Sequence, residues 1–170
     1  LVDTTTVVST SINDNPAIGG VTAGQTVNDD DTVAPFTATT IGDVDNPAQT
    51  LNIMVFIDNP AKGEFTAGSL TDSGFTYQGG GAYSFNGTAA AAQTAIRQLV
   101  FDPTENRVAV GSTETTTFTI WANDPVSTLI TNNTTTVIST SMNDAPTIGG
   151  VSAGQNVNDN STNSPFSTVT

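Results

Sequence analysis

Apolar and polar residues alternate along this chain in short runs. Leu51, Ile53, Val55 and Ile57 recur at every second position, the period of a strand with one buried face. The same period puts Phe118, Ile120 and Ala122 on one face of their run and Trp121 on the other. Runs bounded by Gly, Pro, Asn and Asp predict strands over 36–41, 51–57, 63–66, 74–78, 82–86, 98–102, 114–122 and 129–142. Gln78-Gly79-Gly80-Gly81 joins two of them as a hairpin, on which Phe75, Tyr77, Tyr83 and Phe85 alternate. Helical spacing appears once, over 88–99, where four consecutive Ala and Ile96 predict a crossover helix turning Ile96 and Leu99 inward. The expectation is an all-β fold, an antiparallel β-sandwich of about seven or more strands with one short crossover helix.

The pattern also repeats. Thr4-Thr5-Thr6-Val7-Val8-Ser9-Thr10-Ser11-Ile12-Asn13-Asp14 returns as Thr134-Thr135-Thr136-Val137-Ile138-Ser139-Thr140-Ser141-Met142-Asn143-Asp144, and Pro35-Phe36 returns as Pro165-Phe166. The offset is 144 − 14 = 130 throughout, without a gap, and roughly two-thirds of aligned positions are identical. The chain therefore divides into residues 1–12, the last strand of a preceding repeat; 13–142, a complete repeat; and 143–170, the start of the next. A tandem array is implied.

Composition narrows the chemistry. The 170 residues include 16 acidic and 3 basic side chains, a net charge of −13, and neither His nor Cys. This removes Ser-His-Asp triads, Cys nucleophiles, the usual zinc and haem ligands, and disulfides, so the chain reads as no enzyme. With only Lys62, Arg97 and Arg107 as cations, nucleic acid is a poor partner. No apolar stretch approaches the roughly 20 residues of a membrane span, so membrane insertion is not expected. Hard cations suit such an acidic, thiol-free surface. Thr makes up roughly one residue in five, which favours strands, and 36% hydrophobic residues suffice for a core.

Three acidic features fall on turns or boundaries: Asn13-Asp14-Asn15-Pro16, Asp43-Val44-Asp45 after the 36–41 strand, and Asn123-Asp124 after the Trp121 strand. Loops of a sandwich gather at its ends, so these segments can meet at the pole where the chain enters. Asn28-Asp29-Asp30-Asp31 reads instead as a solvated loop, in which only Asp29 keeps an acidic counterpart, Asp159; a contribution of Asp29 to a junction is the lesser alternative.

These residues carry a resemblance. Asn13-Asp14-Asn15-Pro16 resembles the linker motif of cadherin repeats, Asp43-Val44-Asp45 their Asp-x-Asp, and Ala122-Asn123-Asp124 their Ala-x-Asp, in the same order along the chain. More closely, the whole 130-residue unit, with its Thr-rich strand ending in Asn-Asp and its Ala-rich helix, resembles the Ig-like/cadherin-like repeats of giant bacterial surface adhesins and biofilm proteins. The resemblance implies an Ig-like/cadherin-like sandwich and a Ca²⁺ ion between linker and sandwich. Asn13 and Asn15 would supply neutral oxygens, and Asp14, Asp43, Asp45 and Asp124 carboxylates, with Asn143 and Asp144 opening the next junction. Ser11 and Ser141 stand where cadherins place the first linker Asp, Ala145 replaces the second Asn, and no Asp-Arg-Glu occurs, so one ion per junction is expected.

The functional expectation is a calcium-rigidified spacer or stalk repeat of a large secreted bacterial adhesin or biofilm-matrix protein. It would be extracellular, at the cell surface, with neighbouring repeats of the same chain as partners. Two alternatives stand beside it. Because residues 1–12 nearly copy 131–142, strand exchange could build a self-assembling filament or sheath. Trp121, Tyr77 and Tyr83 could instead form a stacking platform in a glycan- or protein-binding module.

Overall fold

A computed structural model describes residues 4–170. The fold is β-rich, with eleven strands in three mixed or two-stranded sheets and two short α-helices among the described residues. No helix among them is long and apolar enough to cross a membrane.

The principal sheet is built around β9 (Thr113–Asn123) and β4 (Leu51–Ile57), antiparallel, with Ile53 opposite Ala122, Val55 opposite Ile120 and Ile57 opposite Phe118. These six side chains are 4% exposed or less, as the period-two pattern requires. β7 (Ala82–Gly87) pairs with β4, and β6 (Thr76–Gly79) pairs with β7. On the opposite edge of β9 lie β10 (Ile130–Asn132) and β11 (Thr136–Thr140), and β2 (Gln25–Asn28) runs parallel to β11.

The inner face of this sheet is covered by smaller elements. α1 (Ala67–Ser73) and α2 (Ala89–Arg97) pack together, and α2 lies against β4, β7 and β3 (Thr40–Gly42). β3 pairs with β1 (Ala17–Gly19), and β5 (Gly63–Phe65) pairs with β8 (Phe101–Pro103). Phe118 sits at the centre of the core, its ring 5.1 Å from Phe101, 5.4 Å from Phe36 and 5.8 Å from Phe65. The contacts with Phe101 and Phe36 are edge-to-face and that with Phe65 is stacked, and such pairs add to simple burial.

The predicted helix is present, capped by the Thr88 hydroxyl, which accepts from the Ala91 N–H, and Ile96 and Leu99 are fully buried. α1 was not expected; its Gly, Ser, Thr and Asp are weak helix formers, and it depends on the Thr66 cap and on Gly74 (φ 74°) at its C-terminus. The run 36–41 is mostly a turn, and only Thr40 and Ile41 join β3. The long strand expected over 129–142 is two. Asn132 faces Ile120 and Thr136 faces Thr117, so four steps on one strand oppose three on β9, and a bulge separates β10 from β11.

Residues 1–3 of the segment assigned to a preceding repeat lie outside the described residues. Residues 4–12 form no strand, and Val7, Val8 and Ile12 are exposed. The segment 143–170 repeats the local structure of 13–40. Gln25 Nε2 donates to Thr22 O and Pro35 O, and Gln155 Nε2 to Ser152 O and Pro165 O; the Gly19–Thr40 pairing recurs as mutual Gly149–Thr170 backbone bonds. Phe36 is fully buried, whereas its counterpart Phe166 is 78% exposed.

Candidate metal centre

Strand ends bring the acidic segments together. Ala17 pairs with Gly42, so the chain just before β1 runs beside the turn just after β3. Asn52 pairs with Asn123, so the start of β4 lies beside the end of β9. Asp43 and Asp45 thus meet Asp124 at one end of the sheet, with the entering residues Asn13 and Asp14 against them.

Asp43, Asp45 and Asp124 each present a carboxylate oxygen within 4.8 Å of the others. Two oxygens bound to one calcium at about 2.4 Å can lie at most about 4.8 Å apart, so this spacing fits a shared ion. Asp124 is 2% exposed. Its Oδ1 accepts from the Val126 and Ser127 N–H groups at 2.7 Å, closing the turn after β9, and its Oδ2 accepts from Asn13 Nδ2 at 3.3 Å. Burial pushes the Asp124 carboxyl up, but the Val126 N–H, the Asn13 amide and the Ser127 donors together outweigh it and hold the group below its ordinary value.

Asp45 accepts from the Asp14 N–H at 3.1 and 3.3 Å and from Gln49 Nε2 at 3.0 Å; Gln49 Nε2 also donates to Asn13 Oδ1. Asp43 Oδ1 accepts from the Asp45 N–H at 3.3 Å, while its Oδ2 is buried with no hydrogen-bond partner. A buried carboxylate oxygen without a donor, next to two more carboxylates, is an arrangement that a cation would satisfy. The three basic residues are engaged elsewhere: Lys62 with Asp58 and Thr115 O, Arg97 with Thr39 O, Arg107 with Glu114. A cavity of about 380 Å³ opens beside the cluster, lined by Ser11, Asn13, Asp45, Gln49 and Val126 among others.

Of the sequence-predicted ligands, Asp43, Asp45 and Asp124 therefore converge, and Asn13 touches Asp124. Asp14 joins through its N–H, not through its carboxylate. Asn15 Oδ1 accepts from the Thr128 N–H at 3.4 Å, bracing the linker against the turn. Asn143 and Asp144 lie where the chain leaves the unit, and Asp144 Oδ2 accepts from Asn106 Nδ2 at 2.8 Å. Gln49 was not foreseen, because a neutral side chain carries no charge signal.

Asp29 was misread. Asp30 and Asp31 are exposed, but Asp29 is 6% exposed, and its carboxylate accepts from the N–H groups of Asn106 (2.9 Å) and Met142 (2.8 Å). The available signal was its recurrence as Asp159, where Asp30 and Asp31 give way to Asn160 and Ser161. Of the three aromatic residues considered as a stacking platform, Tyr77 and Tyr83 are cross-strand partners with rings 5.1 Å apart, and Trp121 lies apart from them on the other face of the sheet. Tyr83 is buried, 4.8 Å from Phe65, Tyr77 is exposed, and Trp121 packs against Phe56 with tilted rings 4.4 Å apart on the outer face of the sheet.

Comparison with protein-family models, curated proteins and solved structures finds no match.

Proposed function

We propose that the chain is a calcium-stiffened spacer repeat of a large secreted bacterial surface adhesin or biofilm-matrix protein, with an Ig-like/cadherin-like body. In this reading the two short β-pairs, β1–β3 and β5–β8, act with the helices as the second layer of the sandwich. The observation that carries it is the meeting of Asp43, Asp45 and Asp124 with Asn13, residues 111 positions apart at the extremes, at the point where the chain enters. These four side chains would hold the ion, with Asp14 and Gln49 fixing Asp45. The ion would neutralise three carboxylates and tie linker to body, so that the joint stiffens when calcium is present.

A second feature favours a spacer. The chain enters near the Asn123 end of β9 and leaves near its Thr113 end, because β11 ends where β9 begins, with Thr140 opposite Thr113. Eleven residues of strand separate the two ends, roughly 35 Å. Entry and exit at opposite poles let repeats follow one another in a line.

Calorimetric titration of the chain with calcium, and melting with and without EGTA, tests the proposal. One saturable site and a clear rise in Tm are expected; a Tm indifferent to EGTA overturns it. Strand exchange is the second reading. It rests on the exposed Val7 and Val8 in a near copy of β11, the strand seated between β2 and β9. Concentration-dependent oligomers that disappear on deleting residues 1–12 would favour it.

A further inference from the structure

The end where the chain leaves the unit carries a second device, built without a metal cluster. Asp29 lies directly after β2, and Thr140 opposite Asn28 ends β11 beside it. The Asp29 N–H donates to Thr140 O at 2.9 Å, and its carboxylate holds the Met142 N–H. Ser141 is fixed on both sides, its N–H donating to Ser112 O and its carbonyl accepting from the Gly111 N–H. Asn106, whose N–H also binds Asp29, adopts φ 59°, a left-handed conformation that Asn tolerates better than most residues. That turn aims its amide at Asp144 Oδ2.

The 130-residue offset makes Asp144 the equivalent of Asp14, and Asp14 gives its N–H to Asp45. In a tandem array the linker aspartate would combine both sets of partners, its side chain on the preceding body as at Asp144 and its backbone on the following one as at Asp14. Met142, held by Asp29, is one peptide bond from Asn143, the equivalent of Asn13, which contacts Asp124. In a tandem array adjacent residues of the linker would therefore be gripped by different units.

We propose that Asp29 and Asn106 form a metal-independent clasp for the following repeat, with Asn106 recognising the linker aspartate through its side-chain amide. The inference rests on the tandem-spacer reading and extends it: calcium closes the entry side of each joint, and the clasp closes the exit side. The partner is the next copy of this repeat, read at its Asn-Asp linker.

The test uses the 170-residue chain in EGTA, so that the metal site plays no part. Amide exchange and backbone relaxation are followed at residues 141–147 in the parent chain, in Asp29→Asn and in Asn106→Gly. Asn106→Gly keeps the left-handed turn and removes only the Asp144 contact. Exchange of the Met142 amide should quicken at least about tenfold in Asp29→Asn. In Asn106→Gly, residues 144–147 should become more mobile while Tm stays within a few degrees. Residues 144–147 equally mobile in the parent chain and in Asn106→Gly would overturn the clasp. Calcium titration of the same samples separates the two proposals: calcium binding with a loose exit leaves the metal site standing and removes the clasp, and an ordered exit without calcium binding does the reverse.

Discussion

Asn13 Nδ2 donates to Asp124 Oδ2 at 3.3 Å, so a residue that opens the unit is tied to the one that follows its longest strand. The contact favours the ionised form of Asp124, and it places a neutral amide, not a cation, against a three-carboxylate cluster. Nothing among the described contacts of that cluster cancels its charge, and the consequence is measurable at Asp43.

Asp43→Asn removes one of three neighbouring negative charges and leaves the side chain nearly the same size. Without divalent cations its Tm should match or exceed that of the parent chain, since like-charge repulsion falls. With calcium the order should reverse, because excess ligand stabilises only the chain that binds it, by about 2.7 kcal/mol at a hundred times Kd. Paired melting curves in EGTA and calcium show whether the curves cross. A variant less stable in both conditions would mean that Asp43 supports the turn and not an ion.

How much of this was readable beforehand depended on the kind of signal. Leu51, Ile53, Val55 and Ile57 announce β4 because one face of a strand is written at period two. Ile96, with Leu99 three residues on and just past the end of α2, announces the buried side of that helix at helical spacing. The three acidic segments were recognisable because carboxylates are sparse markers on a Thr-rich chain. What failed was whatever depends on pairing. The bulge between β10 and β11 leaves no mark in a strand polar on both faces, and β1 and β2 are too short to show a period. Asp29 looked solvated beside Asp30 and Asp31, since burial is decided by where Met142 and Asn106 arrive from distant parts of the chain.

Gln49→Ala tests the layer behind the carboxylates. Gln49 Nε2 binds Asp45 Oδ2 at 3.0 Å and also Asn13 Oδ1, orienting a charged group and a neutral one together. The substitution leaves the charge of the site untouched. Calcium affinity should nevertheless fall about 10- to 100-fold, the usual effect of removing a residue that positions a ligand. An unchanged isotherm would show that Asp45 keeps its orientation through the Asp14 N–H alone.

Acid should destabilise the fold through identifiable groups. The N–H groups of Asn106 and Met142 hold the Asp29 carboxyl below its ordinary value of 3.8, and the hydrogen bond from Arg107 lowers Glu114 from 4.5. Asp124 is lowered as well, its donors prevailing over burial. A folded-state value below the unfolded one contributes stability that is present above the unfolded value and lost as pH falls through the folded value. Urea midpoints in EGTA should therefore be flat above about pH 5 and decline below about pH 4. Asp29→Asn should start lower at neutral pH and decline less steeply. An acid slope identical to that of the parent chain would remove Asp29 from the list of contributing groups.

Phe118 is the core residue on which the aromatic cluster turns. It contacts Phe36, Phe65 and Phe101, which come from three different parts of the chain, and it is fully buried. Phe118→Ala should cost about 3–5 kcal/mol, because the rings around it are held by the sheet and by β5–β8 and can close only part of the void. Chemical denaturation at fixed calcium measures this. A loss below about 1 kcal/mol would mean that the cluster collapses around the gap.

Gly20 and Gly24 separate backbone strain from steric exclusion. Both adopt left-handed conformations, with φ 63° and 69°. A Cβ on Gly24 would meet nothing within 4 Å, whereas one on Gly20 would lie 2.0 Å from the carbonyl oxygen of Ala38. Gly24→Ala should therefore lose only the conformational term, about 1–2 kcal/mol. Gly20→Ala must in addition push the β1 side of the fold away from the turn before β3, and through β3 disturb the register that sets Asp43 beside the linker. It should lose more stability than Gly24→Ala and also weaken calcium binding, while Gly24→Ala leaves binding unchanged. The same contact recurs at Gly150, where a Cβ would lie 1.7 Å from Thr168 O, so this close approach belongs to the 13–40 turn itself, with or without the rest of the unit around it. Equal losses at the two positions, with calcium affinity intact in both, would show that the Gly20 approach relaxes freely and does not set the geometry of the entry pole.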